Sequence, residues 1–170
     1  MSKPKIKGKR FEDDIAYIIH QFLLNEFDDY KKMLLEINPS LKVKRNFNSG
    51  STINDDGDID LNFGRKYFPF SIECKFWKNL TDLNIFNFNK IKILEKIYKK
   101  QALPTSKKKN LIPIVIFKSN RTKPMVFFDN TLLNFNINDI NYYIKDNMFY
   151  TCFLDNFLNL TANKFREENK

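Results

Sequence analysis

The sequence predicts a mixed α/β (α+β) fold, in which a central mixed sheet of about five strands is flanked by helices. Two long segments repeat apolar residues at three- and four-residue steps, which is typical of helices. Between and after them lie short runs that alternate or are continuously apolar, which is typical of strands. The 170 residues are enough for one domain, and because 42% of them are hydrophobic, we expect a packed core.

The first half of the chain is predicted to be one helix followed by three strands. The helix runs from Phe11 to about Ile37, and Pro39 ends it. A short strand is expected over residues 41–47, and turn residues follow it. Two further strands, over residues 58–63 and 67–77, are predicted to form a hairpin through a Gly-Arg-Lys turn.

The second half is predicted to continue with a helix, two strands and a tail. The helix covers residues 89–103, where Pro104 ends it. Strands follow over residues 111–117 and 124–128, and the first is apolar enough for the centre of a sheet. Residues 129–170 are expected to be mostly helical. The predicted order is therefore αβββαββ plus a helical tail.

The chain is expected to be one domain, residues 1–170, with its core at about 8–128 and a helical extension at 129–170. Its two cysteines are far apart and lack metal-type spacing, which indicates a reducing compartment. The basic N-terminus has no apolar segment behind it, and no apolar run is long enough to span a bilayer. We therefore expect a cytoplasmic protein that is neither secreted nor membrane-bound. Whether its context is bacterial, archaeal, phage or viral stays open.

The charge balance predicts an anionic partner. The net charge is +9, from 29 Lys and Arg against 20 Asp and Glu, and the pI is near 9.4. Charge alone does not separate a nucleic acid from an anionic membrane surface. Because no long amphipathic basic helix is evident, a nucleic acid is the expected partner.

The residues best suited to catalysis or metal binding lie in two short segments: Gly57-Asp58-Ile59-Asp60 and Ile72-Glu73-Cys74-Lys75. Alternation along a strand places Glu73 and Lys75 on one face, and Asp58 adds a second carboxylate from a neighbouring strand or turn. Two carboxylates at one point suit Mg²⁺. Glu-x-Lys is common on exposed strands, but the apolar residues around it predict an internal strand, where charges require a reason.

This pattern resembles the signature of the PD-(D/E)XK nucleases, with Gly57 in place of the usual proline. Three further stretches resemble the archaeal and phage Holliday-junction resolvases: Gly8-Lys-Arg-Phe-Glu12, Arg45-Asn-Phe-Asn-Ser-Gly-Ser51 and Lys100-Gln101-Ala102. The resemblance extends from Gly8 to about Phe117. It implies a restriction-endonuclease-like core.

The resemblance also implies roles for individual residues. The implied catalytic residues are Glu12, Asp58, Glu73, Lys75 and Gln101. Asp58, Glu73 and the backbone carbonyl of Cys74 would bind the metal, and Glu12 would join them directly or through water. Lys75 would position or activate the attacking water, and Gln101 would support the site. The residues expected to contact DNA are Lys7, Lys9, Arg10, Lys44, Arg45, Ser49, Ser51 and Lys78.

Several of these residues have a simpler structural interpretation. Glu12 could only complement the dipole of the first helix. The serines could only form a turn, and Gln101 could be a solvated helix residue, as could the lysines around it. Asp60 shares a strand face with Asp58 and is the substitute if Asp58 is wrong. His20, the single histidine, has no partner at metal spacing, so a structural role is expected.

The resemblance implies a structure-selective, Mg²⁺-dependent endodeoxyribonuclease, with Mn²⁺ able to substitute. It would be a Holliday-junction resolvase of DNA recombination and repair, a homodimer that makes paired symmetric nicks. One alternative is another endonuclease of the same fold, acting on duplex or flapped DNA in repair, recombination or restriction. The other is a basic nucleic-acid-binding module whose carboxylates are structural.

Overall fold

The computed structural model describes residues 3–46, 57–77, 88–140 and 148–168. The helices in these ranges are α1 (Lys3–Glu26), α2 (Asp28–Glu36), α3 (Phe88–Ile97), α4 (Leu103–Lys109), α5 (Asn130–Leu133) and α6 (Leu154–Glu168), with a π-helical segment (Tyr98–Ala102) between α3 and α4. The strands are β1 (Lys44–Arg45), β2 (Ile59–Asp60), β3 (Phe70–Trp77), β4 (Ile112–Ser119), β5 (Met125–Asp129) and β6 (Phe149–Phe153). The mixed α/β prediction is confirmed.

The main sheet in the described residues has four strands in the order β3-β4-β5-β6. The β3 and β4 strands are parallel, and the β4–β5 and β5–β6 pairs are antiparallel. The apolar β4 strand lies inside the sheet, as its sequence predicts. The β3 strand, which the sequence predicts to be internal, is instead an end strand of this sheet. Beside it, a separate ribbon of β1 and β2 meets β3 through a parallel bridge between Gly57 and Ile72.

Side chains alternate between the two faces of this sheet. The α1 face is covered by α1, α2 and α6 and takes Ile72 and Cys74 of β3 into its core. The α3 face is covered by α3 and the π-helical segment and takes Val115 and Phe117 of β4 into a second core. Because Glu73 and Lys75 of β3 are in register with these two β4 residues, they belong to the α3 face.

The single first helix predicted from the sequence is wrong at Phe27, which has an extended backbone (φ −134°, ψ 101°) between α1 and α2. The Phe27 ring is buried, and its centroid lies 4.8 Å from that of Tyr67. After this break α2 returns to the same core and buries Tyr30 and Leu34. A straight helix would carry these two side chains away from the sheet.

The predicted hairpin between the second and third strands is also wrong. Residues Asn62–Lys66 form a 3₁₀ helix, and β2 pairs with β1 instead of β3. At Gly64 this turn lies directly on α1, since a Cβ there would be 2.6 Å from the Leu23 side chain. Packing against α1 therefore redirects the chain before β3 begins.

Pro104 does not end the second helix, contrary to the prediction. The helix passes through the π-helical segment, and Pro104 is in the first turn of α4. The α4 helix ends at Asn110, whose backbone is left-handed (φ 54°).

The C-terminal residues contribute more than the helical tail that the sequence predicts. Residues Phe149–Phe153 form β6, which pairs with β5, and α6 buries Phe157 and Phe165 in the core of the α1 face. The predicted helix near residues 137–144 is a short 3₁₀ helix at Ile137–Asp139, and residues 141–147 lie outside the described residues. No helix in the described ranges is both long and apolar enough to cross a membrane.

Candidate active site

The candidate site begins with the backbone around Gly57 and Asp58. Gly57 has φ +89°, and a Cβ at this position would be 2.5 Å from the carbonyl oxygen of Ile72. The next residue, Asp58, donates its backbone N–H to the same Ile72 oxygen at 2.7 Å. Its carbonyl accepts from the N–H of Asn46 at 2.8 Å. Asp58 is therefore fixed between β1 and β3, and glycine permits the close approach.

The Asp58 side chain is oriented by the strand that carries the other motif residues. Its Oδ2 accepts a 2.6 Å hydrogen bond from the backbone N–H of Cys74. Only 9% of Asp58 is exposed, so a charge-assisted hydrogen bond partly offsets the cost of burying this carboxylate. On either side of Cys74, Glu73 and Lys75 form an ion pair through Oε1 and Nζ, with side chains 15% and 28% exposed.

The first helix contributes a third carboxylate. Glu12 of α1 lies 3.8 Å from the guanidinium of Arg45, measured from Oε2 to a terminal nitrogen. Arg45 on β1 also donates from Nε to Asp13 at 3.0 Å. Arg45 therefore ties α1 to the β1–β2 ribbon that holds Asp58. We call Glu12, Asp58 and Glu73 the carboxylate cluster.

Burial and the neighbouring negative charges raise the pKa values of two cluster members. Burial raises the pKa of Glu73, the charge of Asp58 raises it further, and Lys75 opposes both effects. Burial and then Asp58 also raise the pKa of Glu12, against the lowering effect of Arg45. Burial raises the pKa of the Cys74 thiol well above its ordinary value, so this thiol is neutral at physiological pH. The cluster thus has an unbalanced negative charge in the protein alone.

The residues of the cluster fit a hard divalent cation. Among the described residues, no group of three or more His, Cys, Asp or Glu side chains is arranged to hold a metal ion. Mg²⁺, however, commonly binds through one or two carboxylates, with waters and substrate phosphates as its other ligands. Asp58 and Glu73 supply two such carboxylates, and their mutual repulsion is the electrostatic condition that a cation relieves.

The residues predicted from the sequence do not all join this cluster. Gln101 is exposed in the π-helical segment, and no hydrogen bond or ion pair among the described residues joins its side chain to the carboxylates. The basic residues before Glu12, which the sequence places ahead of a helix that starts at Phe11, are instead part of α1. Lys9, Arg10 and Lys44 are exposed, the side chain of Lys7 is outside the description, and Ser49, Ser51 and Lys78 lie outside the described residues.

Two residues with open interpretations have partners elsewhere. Asp60 accepts from the N–H of Asn62 at 3.1 Å and lies 3.8 Å from Arg65, which places it at the start of the 3₁₀ helix. His20 is bonded through Nδ1 to the Tyr30 hydroxyl at 3.0 Å, and burial lowers the pKa of this histidine. Both contacts are structural.

Sequence reasoning missed the part played by Asn46. Its backbone N–H bonds to the Asp58 carbonyl, and its side-chain amide donates to the Gly57 carbonyl at 3.1 Å. Asn46 therefore supports both residues that enter the second motif segment. The only available signal was its place in the Arg45-Asn-Phe-Asn stretch, because the β1–β2 register that brings it to Asp58 is a long-range feature.

Comparison with known proteins identifies one family. The sequence model of a protein family described as "Phage putative PDDEXK endonuclease" matches residues 3–168. No curated protein and no solved structure matches the chain. The match includes α1 with Glu12, both motif segments and the C-terminal β6 and α6. Because it covers nearly the whole sequence, the chain belongs to this family of PD-(D/E)XK endonucleases.

Proposed function

We propose that the protein is a Mg²⁺-dependent endodeoxyribonuclease that hydrolyses phosphodiesters in branched DNA, as a Holliday-junction resolvase does. Family membership supports an endonuclease. The observation that carries the proposal is the convergence of Glu12, Asp58 and Glu73 beside Lys75 at the edge strand of a mixed sheet. A carboxylate cluster with an adjacent ammonium is suited to metal-assisted hydrolysis.

In this proposal each member of the site has a separate task. Asp58, Glu73 and the Cys74 carbonyl would hold the ion, with Glu12 joining them directly or through water. When bound, the ion would polarise the phosphodiester and lower the pKa of a water molecule. Lys75 would hold the attacking water through Nζ and offset the negative charge that develops on the phosphate.

Arg45 would have a double function in the same site. Its guanidinium lies between two carboxylates of α1, Glu12 and Asp13, and it stays partly exposed. An arginine in this position can fix Glu12 and also meet a phosphate oxygen of the bound strand. Lys9, Arg10 and Lys44 would add phosphate contacts that position DNA without reading its sequence.

We further propose that residues 1–170 form one nuclease domain that acts as a homodimer. The core of the α1 face contains side chains from Phe11 in α1 to Phe165 in α6, which supports a single folding unit. Two-fold symmetry would present two sites to the two equivalent strands of a four-way junction. The junction preference is supported by the resolvase-like stretches around Glu12, Arg45 and Gln101.

The decisive experiment compares cleavage of labelled four-way junction, flap and linear duplex DNA in Mg²⁺ and Mn²⁺. The proposal expects paired symmetric nicks in the junction alone. Lys75→Ala should reduce the cleavage rate by roughly 10²–10⁴-fold, the usual loss when a side chain that acts in general acid–base catalysis is removed. Binding of this variant in Ca²⁺ should persist. Lys123→Ala is the matched control, because Lys123 is exposed and pairs with Asp155 at 3.6 Å.

Each alternative has its own outcome in this experiment. Equal cutting of junction, flap and duplex would keep the nuclease and overturn the junction preference. DNA binding without cleavage in either metal would overturn the nuclease and support the alternative, a basic nucleic-acid-binding module whose carboxylates are structural. Light scattering of the protein with and without junction DNA tests the dimer, and a monomer in both conditions would overturn it.

A further inference from the structure

Positive charge is concentrated in two short stretches of the chain: residues 3–10, with five basic residues and no acidic one, and residues 91–110. Residues 91–110 contain seven lysines and one glutamate, a net +6 against +9 for the whole chain. We call these lysines the basic face: Lys92, Lys96, Lys99, Lys100, Lys107, Lys108 and Lys109. All seven are exposed. The opposite side of α3 and the π-helical segment is apolar and packs on the sheet through Leu94 and Tyr98, so these lysines are directed to solvent.

The helices on the other side of the sheet are electrically balanced. Together α1, α2 and α6 carry nine basic and ten acidic residues, a net charge of −1. A uniform surface excess of lysine, as in a protein that is basic only for solubility, would not produce this asymmetry. Apart from the basic first turns of α1, which come just before Glu12 in the sequence, the excess positive charge of these helices is therefore on the α3 side of the sheet.

The basic face is on the same side of the sheet as part of the candidate active site. Glu73 and Lys75 belong to the α3 face, in register with Val115 and Phe117 of the second core. The π-helical segment and α4 pack directly against β3, the strand that carries both residues. The basic face therefore lies on the helical layer that covers the strand carrying Glu73 and Lys75.

We propose that the basic face binds the phosphate backbone of a duplex DNA arm next to the site of cleavage. This proposal rests on the proposed nuclease function. From Lys92 to Lys109 the helices extend about 25 Å at roughly 1.5 Å per residue, the length of about seven base pairs at 3.4 Å each. Lysine is suited to such contacts because its ammonium meets phosphate oxygens as a point charge and needs no fixed geometry.

Duplex DNA fits this face better than an anionic membrane does. A membrane-surface helix places large apolar side chains beside its lysines, so that they enter the lipid. On the described part of the basic face, Ile93 is the large apolar residue that is substantially exposed (41%). Among the other apolar side chains of α3 that the structure describes, Ile91, Leu94 and Ile97 pack on the sheet. The surface is thus charged without the apolar component that membrane binding requires.

The test is the salt dependence of DNA binding, measured in EDTA so that no cleavage occurs. The basic-face variant replaces Lys96, Lys100 and Lys107 by Ala. Each lost phosphate contact should lower the slope of log K against log [salt] by about 0.9, so the slope should fall by about 2.7. The affinity advantage of the wild type over this variant should then shrink roughly 40-fold between 50 and 200 mM salt.

A matched triple variant on the other side of the sheet removes the same charge: Lys31→Ala, Lys32→Ala and Lys164→Ala in α2 and α6. It should keep a slope close to that of the wild type. Equal loss of slope in both variants would overturn the proposal, because it would show a diffuse effect of net charge. A basic-face variant with the wild-type slope would also overturn it. So would co-sedimentation of the wild type with phosphatidylserine vesicles together with failure to bind a 30-base-pair duplex.

This result is separable from that of the nuclease proposal. If the wild type cuts junction DNA, the basic-face variant should raise KM and leave kcat unchanged, because the replaced lysines do not touch the reacting atoms. A loss of kcat with unchanged KM would contradict a binding role. If the wild type does not cut DNA, the salt slopes still decide whether this surface binds a duplex.

Discussion

Gly57 offers the sharpest test of how the motif is built, because it occupies the position where the family pattern has proline. Its φ of +89° is open to glycine but disfavoured for other residues, and proline requires a φ near −65°. A Cβ would also lie only 2.5 Å from the Ile72 carbonyl oxygen, a backbone atom that cannot rotate away. The chain at Gly57 must therefore move if any side chain is introduced.

The cost of Gly57→Ala can be worked from these contacts. A positive φ costs a non-glycine residue about 1–2 kcal/mol. The shift that relieves the overlap would break the 2.7 Å hydrogen bond from the Asp58 N–H to Ile72, worth about 1 kcal/mol. We expect a total loss of about 2–3 kcal/mol in the free energy of unfolding. For a domain of this size the Tm should fall by roughly 4–12 °C.

The assay is thermal and urea denaturation of Gly57→Ala beside Gly8→Ala. At Gly8, in α1, an added Cβ would have no heavy atom within 4 Å, so alanine should raise the stability by about 0.5–1 kcal/mol. Gly57→Pro should be worse than Gly57→Ala, although proline is the residue of the family pattern. Equal stability of Gly57→Pro and the wild type, with cleavage retained, would refute the reasoning, because the turn would then not depend on a positive φ.

Three further predictions concern the cluster and the thiols. Saturating Mg²⁺, at about 100 times its Kd, should stabilise the protein by ~2.7 kcal/mol and raise its Tm, which calorimetry would measure. The Mg²⁺-dependent rise in Tm should be lost in Asp58→Asn. It should be kept in Glu95→Gln, because Glu95 pairs with a lysine outside the cluster. Without metal at pH 7, Glu73→Gln should raise the free energy of urea unfolding by about 0.5–2 kcal/mol, as removal of strained functional groups commonly does. Burial raises the pKa of Cys152 to about 12 and that of Cys74 well above its ordinary value, so neither thiol should react with a disulfide reagent at pH 8 until the protein unfolds.

The sign of the Glu73 prediction follows from its raised pKa. The folded protein holds a proton on Glu73 more tightly than the unfolded chain does, so ionisation of this carboxyl destabilises the fold. The advantage of Glu73→Gln should therefore appear as the pH rises from the ordinary value of 4.5 through the higher folded value, and it should vanish at lower pH. An advantage that grows in acid would contradict this account. Loss of stability at pH 7 would show instead that the ion pair with Lys75 outweighs burial and repulsion.

The parts of the structure that could be predicted are those that local sequence decides. Alternation in β3 placed Glu73 and Lys75 on one face, and the apolar run of β4 placed that strand inside the sheet. Both follow from the two-residue period of a strand. The motif predicts that Asp58 and Glu73 lie close together, and in the structure both belong to the carboxylate cluster.

The errors occur where packing against a distant element overrides a local pattern. The apolar period of the first helix continues through Phe27, but burial of that ring against Tyr67 divides the helix in two. The Gly-Arg-Lys sequence is good turn chemistry, but its contact with Leu23 converts a hairpin into a 3₁₀ helix. The β6 strand was not predicted because it depends on pairing with β5, which lies about twenty-four residues earlier in the chain.

The hydrogen bond from the Cys74 N–H to Asp58 makes the site depend on the core beneath it. This bond joins the motif segments through the backbone of β3, so the position of Asp58 relative to Glu73 follows the register of that strand. Phe70 and Ile72, both fully buried on the α1 face, fix that register, because a shift by one residue would exchange the faces of Glu73 and Cys74. Core substitutions at these two positions should therefore impair metal binding as well as stability, even though neither side chain belongs to the carboxylate cluster.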